Sequence, residues 1–256
     1  MSSGEARQEI REAWRDLAIS RENPFLTPEW AEAWEEGAGE ELHALVWRRR
    51  AGAEVGAVLP LVAGRRGPLR TLRFPGAGNG DWFGAACAPE DEPGAIRELL
   101  AALREAELSW DVLRLDRVEA ADVWREGIAA VWGARSPRIP RADDVLPFID
   151  LGEDGYEGWL ASRSRNFRSQ LGRRRRRAER EHEVRFHDTP DAGGLGEAID
   201  SLFELHDRRR LDAGGEGRLD AGAREAYRLF ALASLERGWL RMHSVEVDGE
   251  TAAAWY

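Results

Sequence analysis

Residues 224–256, REAYRLFALASLERGWLRMHSVEVDGETAAAWY, contain the pattern that decides the fold. An apolar helical stretch ends at a glycine, a strand follows, and the tight turn Asp248-Gly249 leads into a second strand. Asp-Gly between two strands is a strong hairpin signal, because both central residues of a type I′ turn need positive φ. The same order occurs in residues 28–62, PEWAEAWEEGAGEELHALVWRRRAGAEVGAVLPLV, with few identical letters. The repeat predicts two related α/β domains in tandem.

The segments around the two copies complete the prediction of elements. Thr27 is a predicted N-cap, with Pro28 at the first helical position. Apolar spacing predicts the remaining helices and strands as follows: helices over 5–20, 94–107, 120–132, 154–182, 195–210 and 221–237, and strands over 42–50, 54–62, 69–74, 110–118 and 183–188, with a turn at Ala51-Gly52.

Prolines and a charge shift in residues 134–151 mark the predicted domain boundary, which gives domains 1–140 and 141–256. The first copy of the pattern is followed by some eighty residues that contain a strand, a loop, a helix and another strand. The second copy stops at Tyr256. We therefore expect either a fragment or a second domain that is incomplete at its C-terminus.

The composition excludes several kinds of chemistry. All 37 basic residues are arginine, so no lysine nucleophile or Schiff base is available. Cys87 is the only cysteine, which excludes an intrachain disulfide and a cysteine-based zinc site. No G-x-S-x-G motif supports a serine hydrolase. The sequence shows neither an apolar signal region nor a run of membrane-spanning length, and we expect a cytoplasmic protein.

Residues 163–185 concentrate positive charge in a chain whose formal net charge is −10. They contain ten arginines and three glutamates, a formal charge of +7. The favoured interpretation is a solvated helix face, since five adjacent arginines surround a helix completely. A second interpretation is an anionic substrate or cofactor group bound by Arg168 and Arg173. Nucleic acid is disfavoured, because aromatic residues are sparse after Phe167 and the total charge is acidic.

Five segments carry a resemblance to known proteins: NPFLTPEWAEAW, VGAVLPLV, RNFRSQLGRRRRRAER, LFELHDRRR and LERGWLRMHSVEVDGETAAAWY. They resemble GNAT-like proteins described as acetyltransferases of cellulose biosynthesis, which are relatives of the Fem-type aminoacyltransferases. The resemblance spans nearly the whole chain. It implies an α/β (α+β) fold of tandem GNAT-like domains, each with a mixed, mostly antiparallel sheet flanked by helices.

The resemblance implies an N- or O-acetyltransferase that moves an acetyl or related acyl group from acetyl-CoA to an amine or hydroxyl. The expected acceptor is a sugar or cell-envelope-type small molecule, in polysaccharide biosynthesis. In GNAT folds the strand after the hairpin pairs with the pantetheine amides of the donor, and TAAAWY is expected to begin that strand. The cofactor-binding residues implied in this way are Ala253, Ala254, Trp255 and Tyr256.

A glycine-rich loop of the first half, GAGNGDW (76–82), follows the first copy of the helix–hairpin pattern. Short glycine runs are weak phosphate signals, and an ordinary flexible turn is the favoured interpretation. The resemblance implies that Asp81 and Trp82 of this loop bind substrate.

His206 and Glu246 are the candidate catalytic residues. His206 lies on the apolar face of its predicted helix, where a core histidine is the favoured interpretation and a general base near neutral pH is the alternative. In that alternative Arg209 helps to shape the acceptor site. Glu246 flanks the hairpin and is a candidate base, although hairpin acids are usually solvated. The other histidines have no spacing typical of metal ligands, and no metal site is expected.

Two other functions stay open. A non-catalytic GNAT-fold binding or assembly protein is favoured by the missing pyrophosphate loop after the second hairpin. A Fem-like transferase that uses aminoacyl-tRNA would place RNA on the arginine-rich helix, and its RNA affinity would fall steeply with salt. The sequence leaves the oligomeric state open.

Overall fold

The computed structural model describes residues 3–49, 54–118, 121–133, 149–214 and 219–256. The described residues form eight α-helices and two β-sheets, one mixed and one antiparallel. They group into two compact units. Unit 1 contains the described residues of 1–144 together with 220–230, and unit 2 contains those of 145–219 and 231–256. The predicted α/β fold class with helices flanking mostly antiparallel sheets is confirmed.

Unit 1 holds the mixed sheet. Its elements are α1 (Ser3–Ser20), α2 (Pro28–Ala38), β1 (Glu41–Arg48), β2 (Val55–Arg66), β3 (Leu69–Arg73), β4 (Ala86–Cys87), α3 (Glu92–Glu105), β5 (Val112–Arg114) and α4 (Ala121–Trp132). The strand order is β1-β2-β3-β5, with β4 paired to β2. All pairs are antiparallel except β3 with β5. The predicted turn at Ala51-Gly52 lies outside the described residues.

The strand predicted over 110–118 is too long. Only Val112–Arg114 form β5, parallel to β3. Arg117 has a φ of 53°, a left-handed conformation that a regular strand does not contain, and the chain therefore leaves the sheet before this residue.

Helix α2 begins as predicted. The Thr27 side-chain oxygen accepts a hydrogen bond from the Trp30 amide, and Pro28 occupies the first turn, where no intrahelical donor is needed. The helix ends at Gly39, whose φ of 66° suits a residue without Cβ.

The core of unit 1 is built around Trp30, which is fully buried. Its indole N–H donates to the Pro75 carbonyl oxygen at 2.9 Å. Its ring packs edge-on against Phe25 and Phe230, with centroids 4.9 and 5.0 Å away. Phe230 belongs to residues 220–230, so unit 1 completes its core with a segment from late in the chain.

Unit 2 holds the antiparallel sheet, in the order β6-β7-β8. Its elements are α5 (Gly155–Ser162), α6 (Arg165–Glu181), β6 (Val184–His187), α7 (Leu195–Asp212), β7 (His243–Val247) and β8 (Glu250–Trp255). The remaining helix, α8 (Ala221–Glu236), contributes its residues up to 230 to unit 1 and the rest to unit 2. Residues 215–218, between α7 and α8, lie outside the described residues.

The prediction of one helix over 154–182 is wrong. Arg163 and Ser164 have extended backbone, and they separate α5 from α6. The Ser164 side chain accepts a hydrogen bond from the Phe167 amide at 3.2 Å, which makes it the N-cap of α6. A serine that caps a new helix start competes with continuation of the old helix.

The hairpin β7–β8 forms at Asp248-Gly249 as predicted, with φ of 52° and 86°. Both values are positive, as a type I′ turn requires. The Asp248 side chain also joins the turn to the residues before β6. Its carboxylate accepts a hydrogen bond from the Glu183 amide at 2.8 Å and lies 2.7 Å from His182 Nδ1. In β8 the residue Ala252 has no partner opposite it, since Val245 pairs with Ala253 and Glu246 with Thr251.

The predicted boundary near residue 140 lies outside the described residues. The assignment of 1–140 and 141–256 as two GNAT-like domains stays a prediction. No helix in the described part of the chain has both the length and the apolar character needed to cross a bilayer.

Candidate functional site

A polar surface pocket of about 280 Å³ lies between α7 and the sheet of unit 2. Imidazole, carboxylate and hydroxyl groups line it beside apolar groups, and the polar set can hydrogen-bond a small polar molecule. The lining residues that carry these groups are His187, Asp188, Glu197, Ser201, His243, Ser244 and Thr251.

Strand register explains how His187 reaches a carboxylate. His187 of β6 lies opposite Ser244 of β7, and Arg185 lies opposite Glu246. Residues opposite one another share a sheet face, as do residues two apart in one strand, so these four side chains lie on one face. His187 Nε2 is 3.5 Å from Glu246 Oε2, and Arg185 is 3.5 Å from Glu246 Oε1. His187 thereby connects the pocket to Glu246.

A second imidazole of the pocket also has a carboxylate partner. His243 Nδ1 lies 3.2 Å from Asp188 Oδ1. An imidazole beside a carboxylate can take up or release a proton while the charge is compensated locally. The pocket therefore offers two places at which a bound molecule can exchange a proton.

The two predicted catalytic residues lie on different elements, α7 and β7. Glu246 is partly buried in β7, beside Arg185 and His187. His206 is partly buried in α7, and its Nε2 is buried without a hydrogen-bond partner among the described residues. No hydrogen bond or ion pair within the described residues joins His206 to Glu246. A catalytic role for either residue stays a prediction.

The predicted donor-binding segment TAAAWY is in a different place in the sheet from the one expected. Glu250–Trp255 form the second strand of the hairpin, antiparallel to β7, and not the start of the strand after it. The two-residue turn returns the chain along β7, which fixes this position. Among the described strands β8 pairs with β7 alone, and Ala252 and Ala253 are exposed, so its outer edge presents accessible backbone groups.

Free backbone groups of a strand edge with small side chains can pair with the amides of a ligand. Binding of the donor by Ala253, Ala254, Trp255 and Tyr256 stays a prediction.

Arg168 has a structural partner that the sequence did not reveal. Its guanidinium donates to the carbonyl oxygens of Ala161 and Arg163 at 2.6 and 2.7 Å. These carbonyls lie at the end of α5, where the helix itself supplies no donor, so Arg168 ties α5 to α6. The other predicted substrate ligands of unit 2, Arg173 and Arg209, are exposed on α6 and α7. Anion binding by any of the three stays a prediction.

The loop with Asp81 and Trp82 is held by side chains of unit 1. The Asn79 carbonyl accepts from the Tyr227 hydroxyl at 2.7 Å, and the Gly80 carbonyl accepts from Arg117 at 2.8 Å. Burial, assisted by the charge of Asp81, raises the pKa of Tyr227 to about 12, so the phenol keeps its donor hydrogen. These bonds hold the backbone and leave the side chains of Asp81 and Trp82 exposed. Substrate binding by either residue stays a prediction.

Sequence reasoning missed His187, His243 and Asp188. None belongs to a short motif, and Glu246 is 59 residues from His187. The pairing of β6 with β7 is the signal that could have found them, and it depends on register. Among the described residues, no group of three or more histidine, cysteine or acidic side chains is arranged to hold a metal ion.

Residues 165–256 match the family model described as Acetyltransferase (GNAT) domain. The pocket and the His187–Glu246 pair both lie within this range. This part of the chain is therefore similar to GNAT-type acetyltransferase domains, which use acetyl-CoA as acyl donor. The cellulose-associated or Fem-type subfamily stays a prediction. A search of curated proteins found no match.

Proposed function

We propose that this chain transfers an acetyl or related acyl group from acetyl-CoA to an amine or hydroxyl of an acceptor bound in the pocket of unit 2. The proposal rests on one observation: within the GNAT-type region, His187 lines a polar pocket and contacts Glu246. A base with a carboxylate partner, open to a ligand-sized space, is the arrangement that deprotonation of an acceptor needs.

The lining of the pocket favours a sugar or cell-envelope-type acceptor. Hydroxyl groups of Ser201, Ser244 and Thr251 can bond acceptor hydroxyls. Asp188 and Glu197 are acids that attract a protonated amine. The volume is close to the lower end of small-molecule sites, about 300 Å³, and suits a single sugar ring. We assign the reaction to polysaccharide biosynthesis in the cytoplasm.

The chemistry requires one proton transfer from the acceptor. The acceptor nitrogen or oxygen attacks the thioester carbonyl carbon, the new C–N or C–O bond forms, and the C–S bond breaks. CoA leaves as the thiolate and takes up a proton to become the thiol. Because Nε2 of His187 faces Glu246, Nδ1 is the atom left to receive the acceptor proton.

Glu246 acts through His187 as a positioning residue. Its carboxylate orients the imidazole and compensates the positive charge that develops when His187 takes the proton. The outer edge of β8 binds the donor through its backbone, next to Ala253 and Ala254. Holding both reactants in place lowers the entropic part of the barrier.

The test compares H187A with H182A in the full chain. Both histidines are about half exposed, 49% and 48% of the side chain, and both contact a carboxylate. His182 does not line the pocket. With acetyl-CoA and a panel of amino sugars and sugar alcohols, release of the CoA thiol should fall about 10²–10⁴-fold in H187A, the range of general-base contributions. H182A should keep its activity.

The variant E246Q tests whether Glu246 positions His187 or only stabilises the fold. We expect a lower kcat with little change in KM, and a displaced pH profile, because the amide cannot compensate the imidazolium. A folded H187A variant as active as the wild type would exclude His187 as the base. Equal losses in H187A and H182A would mean that the pocket is not the acceptor site.

A further inference from the structure

Helices α5 and α6 differ from the other helices of unit 2, because neither buries a single described residue. Helix α7, by contrast, buries Leu195, Ile199 and Phe203. The two exposed helices still carry large apolar side chains. Tyr156, Phe167 and Leu171 are 50%, 43% and 38% exposed. Such groups in adjacent helices are a surface that the core does not use.

The order of this surface comes from local bonds. Ser164 caps α6, and Arg168 donates to the last carbonyls of α5. Ion pairs join Arg175 to Glu179 and Arg177 to Glu181, both at 2.8 Å and both four residues apart. Pairs of this spacing stabilise a helix without any tertiary partner. The pair of helices is thus preformed while its outer face stays free.

Charge identifies the chemistry of a partner. Residues 163–185 carry a formal charge of +7. Arg173, Arg174 and Arg176 are exposed and make no hydrogen bond or ion pair with any other described residue. A dense positive surface in an acidic chain selects a polyanion, either a nucleic acid or a bilayer with anionic lipids.

The aromatic side chains favour the bilayer. Stacking on nucleic-acid bases needs free ring faces. The guanidinium of Arg163 lies over the ring of Trp159 at 5.3 Å, and Phe167 meets the same ring edge-on at 6.0 Å. Tryptophan, tyrosine and phenylalanine beside arginine are the residues that proteins place at the headgroup level of a membrane.

Helical spacing places apolar and basic side chains next to one another on one face of α6. Phe167 and Leu171 are four residues apart and lie on one face of α6. Arg174 is seven residues after Phe167, close to the same face. Arginine side chains beside an inserted apolar stripe can extend to the lipid phosphates.

We propose that α5 and α6 together form a docking surface, residues 155–181, that holds the protein on a bilayer containing anionic lipids. Arginines of α6 contact lipid phosphates, and Tyr156, Phe167 and Leu171 enter the interfacial layer. This attachment is peripheral and independent of acyl transfer.

The experiment measures sedimentation of the full chain with vesicles of phosphatidylcholine alone, or of phosphatidylcholine with phosphatidylglycerol. Binding should occur to the anionic vesicles alone and weaken as salt rises through about 0.15 M, where charges are screened within about 8 Å. R174A/R176A should bind about fivefold more weakly for each arginine removed, about 25-fold in total. R208A/R210A removes the same charge from exposed positions of α7 and should bind nearly as the wild type does.

A second variant tests the apolar part. F167S/L171S changes two exposed side chains, so circular dichroism should show an unaltered fold, while binding to anionic vesicles at high salt is lost. Equal binding to neutral and anionic vesicles would overturn the proposal, as would equal losses in the two arginine variants. Binding of a structured RNA without binding of anionic vesicles would also overturn it, and would identify the surface as a nucleic-acid site.

Discussion

The two units differ in whether their tryptophan side chains are buried. Unit 1 buries Trp14, Trp30, Trp34 and Trp124. In unit 2 no described tryptophan is buried, and Trp255 is half exposed. The buried apolar side chains of unit 2 are smaller and fewer, and they come mainly from α7 and from the chain around β7. Unit 1 is organised around a dense aromatic core, whereas the distinctive groups of unit 2 lie at its surface.

Stability depends mainly on the interior of unit 1, and the candidate chemistry lies at the surface of unit 2. A buried aromatic side chain contributes several kcal/mol, so unit 1 can tolerate few changes in its interior. Unit 2 carries a polar pocket, two imidazole–carboxylate pairs and the arginine-rich helix at its surface. Substitutions in unit 2 should therefore alter binding and activity more readily than stability.

Among the substitutions that test this difference, W30A should lower the free energy of unfolding most. Trp30 is fully buried against Phe25 and Phe230, and its removal leaves a cavity. The free energy of unfolding of unit 1 should fall by about 3–5 kcal/mol. The matched change W159A removes a partly exposed tryptophan of α5 and should cost less than about 1 kcal/mol. Guanidinium unfolding followed by circular dichroism measures both, and equal losses would contradict the division between the units.

A smaller effect is expected from adding a methyl group at two glycines. A Cβ at Gly37 would lie 2.3 Å from the Ala226 backbone nitrogen, so G37A should force a backbone shift in unit 1. Its cost should be about 1–3 kcal/mol, as for other overpacked sites. Gly196 of α7 has no atom within 4 Å of that position. G196A should stabilise unit 2 by about 0.5 kcal/mol, because alanine loses less backbone entropy.

Thermal unfolding of both glycine variants, with circular dichroism, shows whether the interior of unit 1 is as closely packed as its geometry indicates. If G37A melts at the wild-type temperature, the approach of α2 to residue 226 is looser than the structure shows.

The smallest effects are expected from an aspartate in each unit. Hydrogen bonds from Arg70 lower the pKa of Asp111 to about 2, and the hydrogen bond with His182 lowers the pKa of Asp248. An unfolded aspartate has a pKa of about 3.9, so the folded chain holds each proton less tightly. Each carboxylate therefore stabilises its unit fully above that value, and the contribution is lost as pH falls through the folded pKa.

D111N and D248N should be slightly less stable than the wild type at neutral pH. For D111N the difference should shrink as pH falls from about 4 to about 2. Urea midpoints measured across this range test the expectation, and a difference that stays constant down to the lowest pH would argue against a titrating aspartate.

Local signals were sufficient for much of the fold. Thr27-Pro28 predicted the start of α2, and Asp248-Gly249 predicted the hairpin, because each depends on residues next to one another. The break at Ser164 was missed because apolar spacing was given more weight than the capping serine. That error also concealed Arg168, whose partners are the carbonyls that the break exposes.

The candidate site depended on register and could not be found in this way. Glu246 was identified as a candidate, but its partner His187 lies on another strand, and one residue of slippage would place it on the opposite face. The role of Tyr227 and Phe230 in unit 1 was equally hidden, because amphipathic spacing shows that a helix face is buried but not against which elements.

The membership of residues 220–230 in unit 1 has a consequence for synthesis on the ribosome. The chain of unit 1 is complete to residue 144 long before Tyr227 and Phe230 are translated. At about 5–20 residues per second, the intervening 86 residues take roughly 4–17 s. Until then the sides of Trp30 that Tyr227 and Phe230 contact stay uncovered, and a chaperone that binds exposed aromatic groups can bind there.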